Sequence, residues 1–271
     1  MAIRDRRQIE AIAEAGSIIG SLIPRLKEMV GPGVSTLDID RFCEDFITSF
    51  DGAVPAFRGL YGFPGSVCTS VNEEIVHGIP SSRRILREGD IVSVDVGVKL
   101  EGWCADSAWT FTVGEVAAPV RRLLATTRDA LDAAIRGARA GNHVGDIGAA
   151  VMRTVRGTSF KIAENLVGHG IGREVHEDPQ VPNTGRPGHG PRLRSGMVVA
   201  IEPMIAQTTS RIRTLDDDWT VVSADGGISA HYEHTVAVTP SGPRILTRLE
   251  EPMEESYLSQ LCNERPAGVA T

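Results

Sequence analysis

Five residues in this 271-residue sequence have the chemistry needed to hold divalent cations: Asp95, Asp106, His169, Glu202 and Glu233. Asp95 lies in IVSVDVGV (91–98), where Val92, Val94, Val96 and Val98 share one face of a period-two strand and Asp95 points to the other. Asp106 lies in WCADSAWTFTV (103–113), which reads as a second strand. A turn centred on Leu100 and Glu101 puts the two aspartates directly opposite, with Cβ atoms roughly 5 Å apart. Carboxylates that close repel unless a proton or a cation sits between them, and a hard divalent cation is the natural filler.

A pair of aspartates on an exposed hairpin face would need no such filler; the other two acids argue against that reading. Glu202 interrupts the apolar run MVVAIEPMI (197–205) just before a proline, and Glu233 lies in HYEHTVAVT (231–239), a strand suited to burial. Four inward acids with one imidazole, His169 from GHGIG (168–172), make an oxygen-rich donor set of the two-metal hydrolase kind rather than a structural zinc site. The same GHGIG could be a phosphate loop, but it lacks the strand-then-helix context and the downstream acid of a dinucleotide site. Its glycines read instead as room for a metal to approach.

The elements that must position these residues are α plus β. Ile9, Ile12, Ile19, Ile23 and Leu26 recur at helical spacing and predict a helix over about 6–29, ended by Gly31-Pro32-Gly33. Ser35 with Asp38 resembles a capping box opening a second helix that runs to before Gly52. Further helices are expected over about 119–140 and 146–156, and strands over 91–98, 103–113, 197–205 and 231–239. The segment 185–194 is a loop by composition, and the chain after about Leu249 is a polar tail.

The halves of the chain also match each other. LREGDIVSVDV (86–96) aligns with LRSGMVVAIEP (193–203) at an offset of 107 residues, which sets Asp95 opposite Glu202. The expected organisation is one catalytic domain over 1–250, with internal repeats at about 31–113 and 140–239, followed by the tail 251–271.

Composition narrows the partners. A net charge of −7 with no basic block argues against nucleic-acid binding. No stretch approaches the ~20 apolar residues of a membrane span and no apolar signal core opens the chain, so a cytoplasmic protein is expected. Cys43, Cys68, Cys104 and Cys262 show no metal-ligand spacing and read as free, mostly packed thiols. No exposed apolar helix face is apparent, so a monomer is expected.

Taken with GFPGSVCTSVNEEIVHGIP (62–80), DVGVKLEGWCADSAWTF (95–111), GHGIGREVHEDPQVPN (168–183), IEPM (201–204) and SAHYEHT (229–235), the sequence resembles the bacterial type I methionine aminopeptidases. The resemblance runs from about Ile9 to Arg244. It implies the pita-bread fold: duplicated halves sharing a curved antiparallel sheet flanked by helices. By resemblance, Asp95 binds one divalent cation, His169 and Glu202 bind a second, and Asp106 and Glu233 bridge the two. The cations implied are Mn, Fe or Co, with Zn a further candidate. His77 and His176 are assigned to contacts with substrate and with the tetrahedral intermediate, and Glu202 to proton transfer.

Leu60, Phe63, Cys68 and Trp219 are assigned to the methionine pocket. The implied partners are the N-termini of nascent polypeptides, met at the ribosome. The sequence departs from its relatives at Leu60 and Val175, where they often carry aromatics, so a wider or less rigid pocket is expected; Leu166 is expected to carry no functional weight. Xaa-Pro aminopeptidases share fold and metals but usually carry a substantial domain ahead of the first metal-bearing strand, whereas only about 90 residues precede it here.

Overall fold

A computed structural model of the chain describes residues 2–249. The tail 251–271 and Cys262 lie outside the described residues. In chain order the elements are α1 (Arg6–Met29), α2 (Thr36–Thr48), β1 (Ala53–Pro55), β2 (Cys68–Val71), β3 (Glu74–Val76), β4 (Ile91–Leu100) and β5 (Trp103–Thr112). The second half follows with α3 (Ala118–Gly137), α4 (Val144–Val155), β6 (Lys161–Ile162), β7 (Val167–Gly170), β8 (Glu177–Pro182), β9 (Val198–Ile201) and β10 (Met204–Ala206). It closes with β11 (Ile212–Thr214), β12 (Val221–Ser223), β13 (Ser229–His231), β14 (His234–Thr239) and β15 (Gly242–Ile245). Among the described residues no helix is long and apolar enough to cross a membrane.

Capping residues start α1, α2 and α4. Asp5 and Gln8 exchange hydrogen bonds at the start of α1, Ser35 and Asp38 at the start of α2, and the His143 backbone N–H donates to Asp146 at the start of α4. The apolar stripe of α1, from Ile12 to Leu26, is fully buried with the valines of β4. All strand pairs are antiparallel: β1, β4, β2 and β5 form one sheet, and β15, β14, β9, β7 and β8 another.

The two matching sequence stretches have matching backbones. Leu86 and Leu193 are both buried, and their N–H groups bond to Val34 O and Asn142 O. Gly89 and Gly196 both sit at left-handed φ, 88° and 90°, and donate to Val113 O and Val238 O. Only glycine takes that conformation without strain, so LRxG is the same turn built twice, once before the strand that carries Asp95 and once before the strand that ends just before Glu202.

Two expectations change. Asp95 pairs with Ala108, and Asp106 with Gly97, so the aspartates are diagonal neighbours on one face, not directly opposed. The turn is the two-residue Glu101–Gly102, with φ of 48° and 80°, a primed turn that matches strand twist and moves the register by one residue per strand. The strands expected over 197–205 and 231–239 are each broken, between Ile201 and Met204 and between His231 and His234. Pro203 has no N–H for a ladder, and each break contains one of the glutamates.

The two sheets meet along β5 and the segment 231–235, largely through hydroxyls. Thr235 Oγ1 accepts from the Asp106 N–H at 2.9 Å and donates to the Asp106 carbonyl at 2.8 Å. Thr110 Oγ1 does the same for His231, at 3.0 and 2.8 Å. Between them the Glu233 N–H donates to the Ala108 carbonyl at 2.9 Å. This seam brings Asp106 and Glu233, 127 positions apart, to one place.

Candidate metal centre and substrate cavity

A cavity of about 710 Å³ opens over the seam. Asp95 reaches it from β4, Asp106 from β5, His169 from β7, and Glu202 and Glu233 from the two strand breaks. Asp106, His169 and Glu233 each offer a ligand atom, all within 4.8 Å of one another. His169 Nε2 lies 3.4 Å from Glu202 Oε1 and 3.9 Å from Asp106 Oδ2. Asp106 and Glu233 are 3% and 2% exposed, and one carboxylate oxygen on each of Asp95, Asp106 and Glu233 is buried with no hydrogen-bond partner.

Such a cluster cannot be fully ionised on its own. Burial raises the Asp95 carboxyl to about 7. Burial raises Asp106, Glu202 and Glu233 well above the carboxylate range, and the charges of their neighbours push the same way. Orphaned buried oxygens and mutual repulsion are both relieved by a cation, and an oxygen-rich set with one imidazole suits a divalent metal. His169 is prepared for that role. Its Nδ1 lies 2.9 Å from the Gly170 carbonyl, which can only accept, so the proton sits on Nδ1 and the Nε2 lone pair faces the acids. Burial, helped by nearby His176, lowers its pKa to about 4 and keeps the ring neutral.

The glycines beside His169 serve a different purpose from the one expected. A Cβ on Gly168 would fall 2.3 Å from the Ala200 carbonyl, and one on Gly170 would fall 2.3 Å from the Asp178 carbonyl. They let β7 pack tightly between its neighbours and so fix His169; they do not open a path to it.

All the remaining expected residues line the same cavity: Leu60, Phe63, Cys68, His77, His176 and Trp219. Phe63 and Trp219 meet edge to face at 5.1 Å, and His77 stands edge-on to Trp219 at 6.4 Å. Trp219 is held by a turn in which Asp217 accepts from the N–H groups of Trp219 and Thr220. His176 lies 4.5 Å from His169, nearly perpendicular to it. His77 is held at φ 60°, a left-handed strain of the kind that collects at functional sites. Burial lowers the pKa of both His77 and His176, which favours their neutral forms.

Two departures from relatives sort differently from the expectation. Val175 is buried in the core and does not line the cavity, whereas Leu166 does. Sequence reasoning also missed Tyr61, Phe57, Met204 and His231. His231 Nε2 lies 3.7 Å from Glu202 and 4.0 Å from Glu233 and has no hydrogen-bond partner. Its place in SAHYEHT, two residues before Glu233, was the available signal, hidden by the strand break.

The metallopeptidase family M24 model matches residues 10–240. A methionine aminopeptidase of Clostridium perfringens is 48% identical over 248 residues, covering 92% of this chain and 99% of the relative. The chain belongs to metallopeptidase family M24, among its methionine aminopeptidases. The M24 chain is accordingly a metal-dependent hydrolase. A solved methionine aminopeptidase from Thermotoga maritima superposes with a TM-score of 0.89 at 39% identity, covering 92% of this chain and 99% of that one. An Xaa-Pro dipeptidase from Bacillus anthracis gives a TM-score of 0.73 at 23% identity and is covered over only 62% of its length. It shares the M24 fold alone.

Proposed function

We propose that this metallopeptidase removes the N-terminal methionine of new polypeptides by two-metal hydrolysis of the first peptide bond, preferring a small second residue. The observation that carries the reading is the cluster of four acids and one imidazole with buried, unpartnered oxygens, set beside an apolar pocket. Asp95 would hold one cation, His169 and Glu202 the other, and Asp106 and Glu233 both. The donor set suits Mn, Fe or Co, with Zn a further candidate. Bound cations supply Lewis acidity, which activates a water and polarises the scissile carbonyl.

The chain's own groups do the rest. Glu202 takes the proton released by the water and passes it to the leaving nitrogen. His176 donates a hydrogen bond to the carbonyl oxygen as charge develops there, and His77 meets the scissile amide. Leu60, Phe63, Cys68 and Trp219 enclose the methionine side chain. An internal peptide bond brings no free amine to the donor set, so cleavage is confined to the chain end. The enzyme acts in the cytoplasm as a monomer, on nascent chains at the ribosome. Residues 1–250 form its one catalytic domain, a duplication whose copies span about 31–113 and 140–239; the paired LRxG turns support that reading.

The test is cleavage of Met-Ala-Ser and Leu-Ala-Ser after chelation and restoration of Mn or Co. Metal-dependent release of methionine much faster than leucine is expected. Equal release would make the protein a broad aminopeptidase, and no release with any metal would sink the reading.

A further inference from the structure

Among the described residues Tyr61 is the most exposed large hydrophobic side chain, at 74%, yet its backbone is held left-handed at φ 51°. A bulky residue adopts that conformation only when its surroundings impose it. Gly59 and Gly62, on either side, are left-handed too, at 79° and 92°, and a Cβ on either would meet nothing within 4 Å. These glycines therefore serve the shape of the turn and not a close approach.

The segment after the turn is anchored firmly. Asp40, buried on α2, accepts from the N–H groups of Ser66 and Val67 at 2.6 and 3.1 Å. Arg58, at the near end, donates from Nε to Ser66 Oγ at 3.0 Å and pairs with Glu44 of α2. A fixed base thus carries a strained tip, and the tip aims one ring. Tyr61 stacks on His176 with ring centroids 5.8 Å apart and planes 15° from parallel.

His176 needs such a support. It lies on the loop before β8, and no hydrogen bond to its ring is formed among the described residues. Its other ring contact is the edge of His169. Without Tyr61 the imidazole keeps one ring contact, the edge of His169.

We propose that Tyr61 is a positioning residue, whose ring fixes the orientation in which His176 faces the substrate carbonyl. This rests on the reading of His176 given above. The contact is strongest as ring on ring, so the hydroxyl is dispensable.

The test compares Tyr61→Ala and Tyr61→Phe in the full chain. On Met-Ala-Ser with restored Mn, Tyr61→Ala is expected to lower kcat roughly 3- to 10-fold at nearly constant KM, the size of one aromatic contact. Tyr61→Phe should stay within about twofold of the wild type, since it keeps that contact. A second readout needs no turnover. The His176 ring proton resonance of the metal-free protein, assigned by its loss in His176→Asn, should move in Tyr61→Ala and stay in Tyr61→Phe. An unmoved resonance, an unchanged kcat in Tyr61→Ala, a change in KM alone, or a Phe variant as impaired as Ala would each overturn the proposal. Failure of the wild type on Met-Ala-Ser would overturn the aminopeptidase reading, while the resonance still decides the contact.

Discussion

Replacing Asp95 with Asn tests whether the acids are held together against their own charge. Burial raises the Asp95 carboxyl from 3.8 to about 7. A group whose pKa rises on folding contributes its full stability below the unfolded value and loses it as pH climbs through the folded value. At about 1.36 kcal/mol per unit, the loss reaches on the order of 4 kcal/mol above about pH 8, and about half has accrued by about pH 5.5.

Asn has the shape of the protonated acid and stays neutral at every pH. Metal-free Asp95→Asn is therefore expected to be more stable than metal-free wild type, by a margin that widens by about 2 kcal/mol between about pH 5.5 and pH 8.5. The comparison must be between two proteins. His169, His231 and His234 have pKa values lowered from 6.5 by burial, so they favour stability at higher pH, but they are common to both and cancel. Asp106, Glu202 and Glu233, which burial and the Asp95 charge push up, are relieved of that charge in the variant and act in the same direction as the margin. Urea unfolding followed by tryptophan fluorescence is the assay. At an m-value of about 2–3 kcal/mol/M the widening is about 1 M or a little less in midpoint. Restored Mn should reverse the order, because the wild type alone offers a full charged donor set. Metal-free wild type matching the variant at pH 8.5, or no reversal with Mn or Co, would refute the reasoning.

Two further substitutions test the supports of the site. Gly170→Ala forces a Cβ to within 2.3 Å of the Asp178 carbonyl and should cost about 1–3 kcal/mol, seen as a fall of several degrees in melting temperature together with weaker Mn binding by calorimetry; a variant as stable as wild type would show that β7 can shift. Trp219→Ala removes the ring that Phe63 and His77 meet edge-on, and should raise KM for Met-Ala-Ser roughly tenfold while narrowing the preference for methionine over leucine. Unchanged selectivity would move the pocket elsewhere in the cavity.

Much of the site was legible because charge in an apolar run is a strong signal. Glu202 and Glu233 interrupt strands that would otherwise be wholly buried, and both line the cavity. The helix starts were legible from Ser35 and Asp38, whose side chains bond as their spacing suggests. What was hidden depends on backbone geometry. The hairpin register turned on Glu101 adopting a left-handed φ, which its residue type does not advertise. The strand breaks at Glu202 and Glu233 overturned simple alternation and concealed His231. Val175 and Leu166 are both apolar, and only packing shows that the first is core and the second faces the cavity.

The threonine seam has a symmetry that bears on the charge of the cluster. Half a turn about the Ala108–Glu233 pair exchanges Thr110 with Thr235 and Asp106 with His231, since each pair is 125 residues apart. The backbone bonds at Asp106 and His231 are therefore equivalent, but one position carries an acid and the other an imidazole that burial keeps neutral, with its pKa lowered to about 3. An acid at position 231 to match Asp106 would have made a fifth carboxylate. The break in symmetry falls on a side chain and leaves the backbone untouched, so position 231 sets how much negative charge the centre holds without disturbing the frame that holds it.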